Sequence, residues 1–275
     1  MKMIHIFLTL LSISIFGTAQ AKAADCQAEK SLTEVALQNR LIIVDDSHGI
    51  VEIPDYLLQV ACRLLNNGKP LLIGLEIPAS EQEAINNYLQ SDGDAYDRMD
   101  LLNGIFWHKA RKYGMASEAI FSVIETSRKW NKAGLPVMVF AFDQAENSWP
   151  VRLQKQESFW GGYRETIMAL NINVRARLYP QHTLLILVGG IHARKYAEPK
   201  DKYPSMAHTL AQTYPSYTIT FSHPEGEAWY CGGQTRETMQ CGKQKYPKSR
   251  LQTNPAFDVT IALEKISASP PAVDK

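Results

Sequence analysis

What the chain has little of narrows it first. Its 275 residues contain four cysteines, Cys26, Cys62, Cys231 and Cys241. None stands in a Cys-x-x-Cys pair, which argues against the paired-thiolate pattern of structural zinc sites. Neither charge dominates: 29 Lys and Arg stand against 28 Asp and Glu, interspersed along the chain. Without a basic stripe, nucleic acid is not an expected partner. Beyond the first two dozen residues no apolar run reaches membrane-spanning length, so no integral membrane segment is expected after them. There is no internal repeat and no composition shift of the kind that marks a linker, which leaves one domain.

The start of the chain has a different character. Lys2 precedes an apolar stretch, Ile4 to Phe16, interrupted only by His5, Thr9, Ser12 and Ser14. Ala19-Gln20-Ala21 and Ala21-Lys22-Ala23 both fit the small-x-small cleavage pattern. Residues 1–23 are therefore read as a secretory signal peptide, and the expected destination is periplasmic or secreted. Residues 24–265 form the single domain, of about 240 residues, large enough to bury roughly three quarters of its unfolded surface. Residues 266–275, rich in proline, are expected to be a flexible tail. An even cysteine count in an exported chain suggests two disulfides, with three connectivities open. Cys231 and Cys241 flank a short loop containing Gly and Thr and are the expected pair. Closing that loop contributes about 2–3 kcal/mol on the chain-entropy model.

Periodicity gives strands at Leu41–Val44, Leu71–Leu75, Val137–Phe142, Thr183–Val188, Tyr217–Phe221 and Phe257–Leu263. It gives helices at Ile53–Asn66, from Ser80 to about Gln90, Ala116–Lys132, Arg164–Leu178 and Pro204–Thr213. Pro54 in the first turn and Gly68 past the end bracket one helix. Ser80 to Glu83 has the form of a capping box for the next. Ser91 to Tyr96 reads as a turn, and Glu146 to Gly161 as a long irregular connection and the candidate lid. Strand and helix alternating in this way predict an α/β fold: a mainly parallel central sheet with helices on both faces. Antiparallel edge strands near the C-terminus are compatible with it.

Four of the strands end on a group with chemistry. His48 follows the first in Asp45-Asp46-Ser47-His48-Gly49, Glu76 the second, Asp143 the third, and His192 the fourth in Gly189-Gly190-Ile191-His192. In open α/β sheets ligands bind beyond the carboxyl ends of the strands. Asp46, His48, Glu76, Asp143 and His192, if they converge, can take a proton from water with carboxylates orienting the imidazole. The same donors also suit Mn²⁺, Zn²⁺ or Fe²⁺, which would activate water by lowering its pKa. Each has a plainer reading: His192 bonded to a backbone carbonyl, Asp143 capping the next segment, Glu76 paired with a buried arginine. Glu76 lies between Leu75 and Ile77, and a buried carboxylate must have a partner. His108, His182, His208 and His223 stand in polar or helical contexts and read as surface or packing residues.

Asp46-Ser47-His48-Gly49, Glu52, Leu75-Glu76-Ile77-Pro78, Phe142-Asp143 and Gly189-x-x-His192-Ala193 resemble the ordered motifs of the TIKI/ChaN/erythromycin-esterase superfamily. Arg164 with Met168, and the Ser269-Pro270-Pro271-Ala272 ending, extend the likeness over nearly the whole mature chain. The resemblance implies either a hydrolase of ester, lactone or amide bonds acting on a small molecule or a peptide, or a haem- or iron-binding protein. In the first case His48 is the general base, Asp46, Glu76 and His192 complete the catalytic or metal-binding set, and Asp45, Glu52, Asp143 and Arg164 support it. In the second an exposed His or Tyr ligates iron. A catalytically silent relative is the third reading, because the chain departs from the family at two places. Asp45-Asp46 stands where Gly-Glu is usual, and Tyr113-Gly114-Met115 where relatives often carry Asp-Gly-Arg. Arg111 or Arg164 is the candidate substitute for that missing arginine.

Overall fold

The computed structural model describes residues 34–35, 38–110, 113–144, 157–196, 202–232, 240–250 and 252–273, with the backbone alone at 109, 110 and 157–161. The expected leader, Cys26, Arg111 and most of the 146–161 connection lie outside the described residues.

Eight strands form among them: β1 (Leu41–Asp46), β2 (Leu71–Pro78), β3 (Val137–Asp143), β4 (Thr183–Gly189), β5 (Ser216–Ser222), β6 (Gly226–Gly232), β7 (Gln240–Tyr246) and β8 (Val259–Ala262). The helices are α1 (Glu52–Asn66), α2 (Gln82–Gln90), α3 (Ala95–Leu102), α4 (Ile105–Ala110), α5 (Glu118–Lys132), α6 (Glu157–Leu178) and α7 (Met206–Ala211). Six strands make one sheet in the order β3-β2-β4-β1-β5-β8, and every pairing in it is parallel. The antiparallel pairing near the C-terminus is present as a separate hairpin, β6 with β7, rather than as an edge of the sheet.

The central strands are apolar without interruption because both their faces are covered. All seven residues of β4 are buried. Alternation divides them between two cores. Leu185 and Leu187 join Ile42 and Val44 against α1 and α5, where Leu57, Leu64, Val123 and Ile124 meet them. Leu184, Ile186 and Val188 join Leu41 and Ile43 on the other face, packed on Met168, Ile172 and Ala176 of α6 and Met206 and Leu210 of α7. Helices thus cover both faces, as the pattern predicts.

Local readings fare less well. Ser80 does not cap α2: β2 runs on to Pro78, a single 3₁₀ turn spans Ala79–Glu81, and α2 starts at Gln82 with no side-chain cap. Glu81 turns inward instead and accepts the Phe106 N–H at 3.2 Å, at the start of α4. The capping box belongs to α3, where Asp94 accepts from Asp97 N at 2.9 Å and Asp97 accepts from Asp94 N at 3.2 Å. The expected pairing of Cys231 with Cys241 is present: the two face each other across the β6–β7 ladder and are bonded. Cys62 is disulfide-bonded as well.

The C-terminal segment is docked rather than frayed. Ala268 bridges to Ile50 and Pro271 to Ser117. Ser269, 1% exposed, accepts the Ala119 N–H at 2.9 Å, which satisfies an orphan donor in the first turn of α5. Its prolines have no N–H to lose, so a peptide rich in them can lie along an irregular seam. Deleting residues 266–275 removes the buried Ile266 and Ala272 together with that bond. Denaturant unfolding of the truncated chain is expected to show a loss of about 3 kcal/mol. Unchanged stability would mean that the segment only rests on the surface.

Candidate active site at the strand ends

Sheet topology selects where the site forms. β4 lies between β1 and β2. The connections leaving β1 and β2 pass over one face, and the one leaving β4 passes over the other, through α7. Neighbouring strands whose connections diverge leave a crevice beyond their carboxyl ends. Asp46 is in register with Gly189 at that end. The register of β2 on β3 shifts between Leu75 and Pro78, an irregularity that sits at Glu76. Leu75 and Ile77 go into the α1 side of the core, so Glu76, one residue out of phase, faces the α6 side.

Arg164 of α6 meets it there. Its Nη2 donates to Glu76 Oε1 at 2.6 Å and to Asp143 Oδ2 at 2.7 Å, and its Nε donates to Asp143 Oδ1 at 3.0 Å. The other Glu76 oxygen accepts the Gly189 N–H at 2.6 Å. Burial pushes the Glu76 carboxyl upward, but the charges of His48 and Arg164 and the Gly189 amide outweigh it and hold the group below its ordinary range. Glu76 is therefore a fixed anion, and the plain reading of a carboxylate paired with a buried arginine holds.

The two histidines sit on either side of it, each with one Nε2 to Glu76 oxygen distance of 3.7 Å. Their partners differ. His48 Nδ1 lies 2.8 Å from Asp46 Oδ2. Burial opposes a charge on His48, yet the charge and hydrogen bond of Asp46, with Glu76 and Asp45 behind it, raise its pKa to about 9. At neutral pH that ring is an imidazolium donating to Asp46. His192 Nε2 lies 3.0 Å from Arg164 Nη1. A guanidinium only donates, so this nitrogen accepts, and the ring's proton sits on Nδ1, where it is donated to Glu165. The second oxygen of Glu165 accepts Met206 N at 2.6 Å and so ties α7 to the site. Gly189 makes the approach feasible, since a Cβ there would lie 3.0 Å from His48 Nε2 and 3.3 Å from Glu76 Oε2.

Both departures from the family pattern acquire a structural meaning. Asp46, one methylene shorter than Glu, still reaches His48. Asp45 points away from the cluster; it accepts the Thr220 hydroxyl at 2.5 Å, and burial, partly offset by Thr220, lifts it to about 6. Met115 lines a cavity of about 10 Å³ with Asp46, His48, Glu76 and Ile120, room for the centre of one water. Asp46 Oδ1, in that lining, is buried without a hydrogen-bond partner. Glu52 is not in the cluster. Its carboxylate accepts Ser267 N at 2.9 Å and holds the C-terminal segment.

The candidate ligand set Asp46, His48, Glu76 and His192 does not fit a metal. Asp46 Oδ2, both Glu76 oxygens and both His192 nitrogens are engaged within the protein, and the cation among them is a guanidinium. Among the described residues no group of three or more His, Cys, Asp or Glu is arranged to hold an ion.

No protein-family model matches the sequence, and no curated protein is similar to it in sequence. Solved structures are informative. An erythromycin esterase, a mutant in its open conformation, superposes with a TM-score of 0.59 at 11% identity, over 81% of this chain and 80% of that one. The chain has the fold of an erythromycin esterase. A succinoglycan biosynthesis protein superposes with a TM-score of 0.51 at 11% identity, covering 88% of this chain and 87% of its own. A Bacillus cereus protein gives 0.50 at 12% identity, over 83% and 76%. At such identities the likeness is one of fold alone.

Glu165 and Thr220 were not among the residues singled out from the sequence. Glu165 had a signal: it stands one turn before Ala169, as Arg164 does before Met168, so two adjacent charges lie on the stripe of α6 that faces the core. Thr220 had none, because its partner comes from a strand 175 residues away. Arg164→Met leaves Glu76 and Asp143, 6% and 8% exposed, without their cation. Chemical unfolding is expected to show a loss of about 3 kcal/mol, the low end for a broken buried pair because Arg164 is partly solvated. A loss below about 1 kcal/mol would remove Arg164 from its central place.

Proposed function

We propose that the chain is a hydrolase of ester, lactone or amide bonds, in which water held beside Asp46, His48 and Glu76 is the attacking group. The observation that carries this is the unpartnered Asp46 Oδ1 at a water-sized cavity shared with His48 and Glu76. A buried carboxylate oxygen without a donor is costly, and a bound water with two to four polar partners removes that cost. Asp46 orients His48 through Nδ1 as the acid of a triad orients its base, which leaves Nε2 for the water's proton. The water oxygen bonds to the acyl carbon as that proton moves to Nε2. The proton then passes to the departing alcohol or amine, and a carboxylic acid is left. His192 and Glu76, locked by Arg164, keep the wall of the site rigid. No step of this scheme passes through a metal ion.

A cavity of about 10 Å³ beside His48, room for the centre of one water, supports the hydrolytic reading of this site; the haem reading calls instead for an exposed His or Tyr. A disulfide between Cys231 and Cys241 suits an oxidising compartment, and we place the protein outside the cytoplasm on that ground together with its signal-like start. No helix among the described residues is long and apolar enough to cross a membrane.

The pH dependence follows from His48. To act as base the ring must have lost the proton that it holds up to about pH 9. The kcat/KM for an aryl ester or lactone is therefore expected to rise about tenfold per pH unit through the neutral range and to level off near pH 9. His48→Ala is expected to lower turnover by about 10²–10⁴ and, below about pH 9, to lower stability as well, because buried Asp46 loses its hydrogen-bonded cation; thermal melts establish that the variant is folded. A rate that is flat to pH 8 and falls above 9 would make His48 an acid instead. Absence of turnover for esters, lactones and amides alike from pH 6 to 10 would end the hydrolase reading.

A further inference from the structure

A far larger cavity lies on the flank of the molecule. It offers about 310 Å³ along β3, the edge strand of the sheet, between α2 and the C-terminal half of α6. None of its lining residues lines the cavity at His48. That volume is at the lower bound of small-molecule sites.

The exposed strand edge is already occupied by side chains. Gln82 Oε1 accepts the Ala141 N–H at 2.8 Å while its Nε2 donates to Val139 O at 3.1 Å, as a paired strand would. Asn131 Nδ2 donates to Val137 O at 3.0 Å. With its donors and acceptors covered, the edge is closed to strand addition, and the groove is left for a small ligand. Leu72, Met138 and Phe140 give it an apolar floor. The wall carries one charge, Arg175, which is half-buried. Among the described residues the Arg175 guanidinium makes no hydrogen bond or ion pair, and no acidic side chain lines the groove. Tyr179, just past the end of α6, also lines the groove. Every other lining side chain is neutral.

A guanidinium held over an apolar floor with no anion of its own calls for one from outside, and the planar fork suits a carboxylate. We propose that this groove binds small carboxylates with a hydrocarbon body, the carboxylate on Arg175 and the chain on Leu72, Met138 and Phe140. The site is separate from the strand-end cluster and does not depend on its being catalytic.

Calorimetric titration of the intact protein with octanoate tests it. One saturable site is expected. Arg175→Met should weaken octanoate at least about tenfold, the scale of one charge-assisted bidentate contact, while 1-octanol should bind both proteins equally weakly. His48→Ala should bind octanoate as the wild type does, and thermal melts of each variant establish that it is folded. Equal octanoate affinity in wild type and Arg175→Met overturns the proposal. So does loss of binding in His48→Ala, or the absence of saturable binding up to about 10 mM in the wild type.

Discussion

One guanidinium organises the carboxyl ends of three strands. Arg164 reaches down from α6 and bonds Glu76 from β2, Asp143 from β3 and His192 from the turn after β4. Each of those groups would be expensive to bury alone. Together with Arg164 they form a closed set in which every charge has a hydrogen-bonded counterpart. This network is also why the site is not assembled for a metal: a permanent cation already takes the electrostatic place an ion would occupy, and it cannot be titrated away. A helix on one face of the sheet is thereby tied to the ends of strands whose other faces pack on different helices. The site is part of the fold's closure as much as a cavity within it.

The same network sets two imidazoles, close to one carboxylate, in opposite states. Asp46 can only accept, so it keeps a proton on His48 Nδ1 and favours the charged ring. Arg164 can only donate, so it keeps His192 Nε2 unprotonated, and Glu165 then receives the Nδ1–H. His48 is a quarter exposed, whereas His192 is nearly buried and engaged at both ring nitrogens. The two motifs look equivalent as sequence, yet the structure gives them different partners.

The sequence made the architecture legible because burial on both faces writes uninterrupted apolar runs, and such runs in alternation with amphipathic helices admit few topologies. His48, Glu76, Asp143 and His192 were legible as a group for the same reason: each stands immediately beyond such a run. Asp46 and Arg164 followed from the motif order. Less legible were features decided by long-range pairing. β6 and β7 show no clean apolar alternation, since among the described residues of the hairpin only Ala228 is buried. Glu52, a supporting residue in the motif resemblance, stands at a helix start and turns its carboxylate to Ser267 N of the C-terminal segment instead. The proline-rich end read as a tail because its partners, Ile50, Ser117 and Ala119, are more than a hundred residues away in the chain.

The hairpin connects the disulfide to the site. Trp229 of β6 donates its N–H to Gly49 O at 2.9 Å, and Ser269 N reaches the same oxygen at 2.9 Å. Gly49, at a φ of +81°, follows His48 directly, and a Cβ there would stand 2.0 Å from Trp229 O. Gly114, next to Met115, approaches the same oxygen, with a would-be Cβ at 2.5 Å. The turn that carries the titrating histidine and the turn that carries the apolar wall of its cavity are thus both seated on one carbonyl of a strand stapled by Cys231–Cys241. Two glycines are needed there because two backbones converge on a third, and any side chain would push them apart. The seating of the His48 turn therefore rests on contacts made by backbone alone, which residue substitution around the pocket would leave in place while substitution at Gly49 or Gly114 would not.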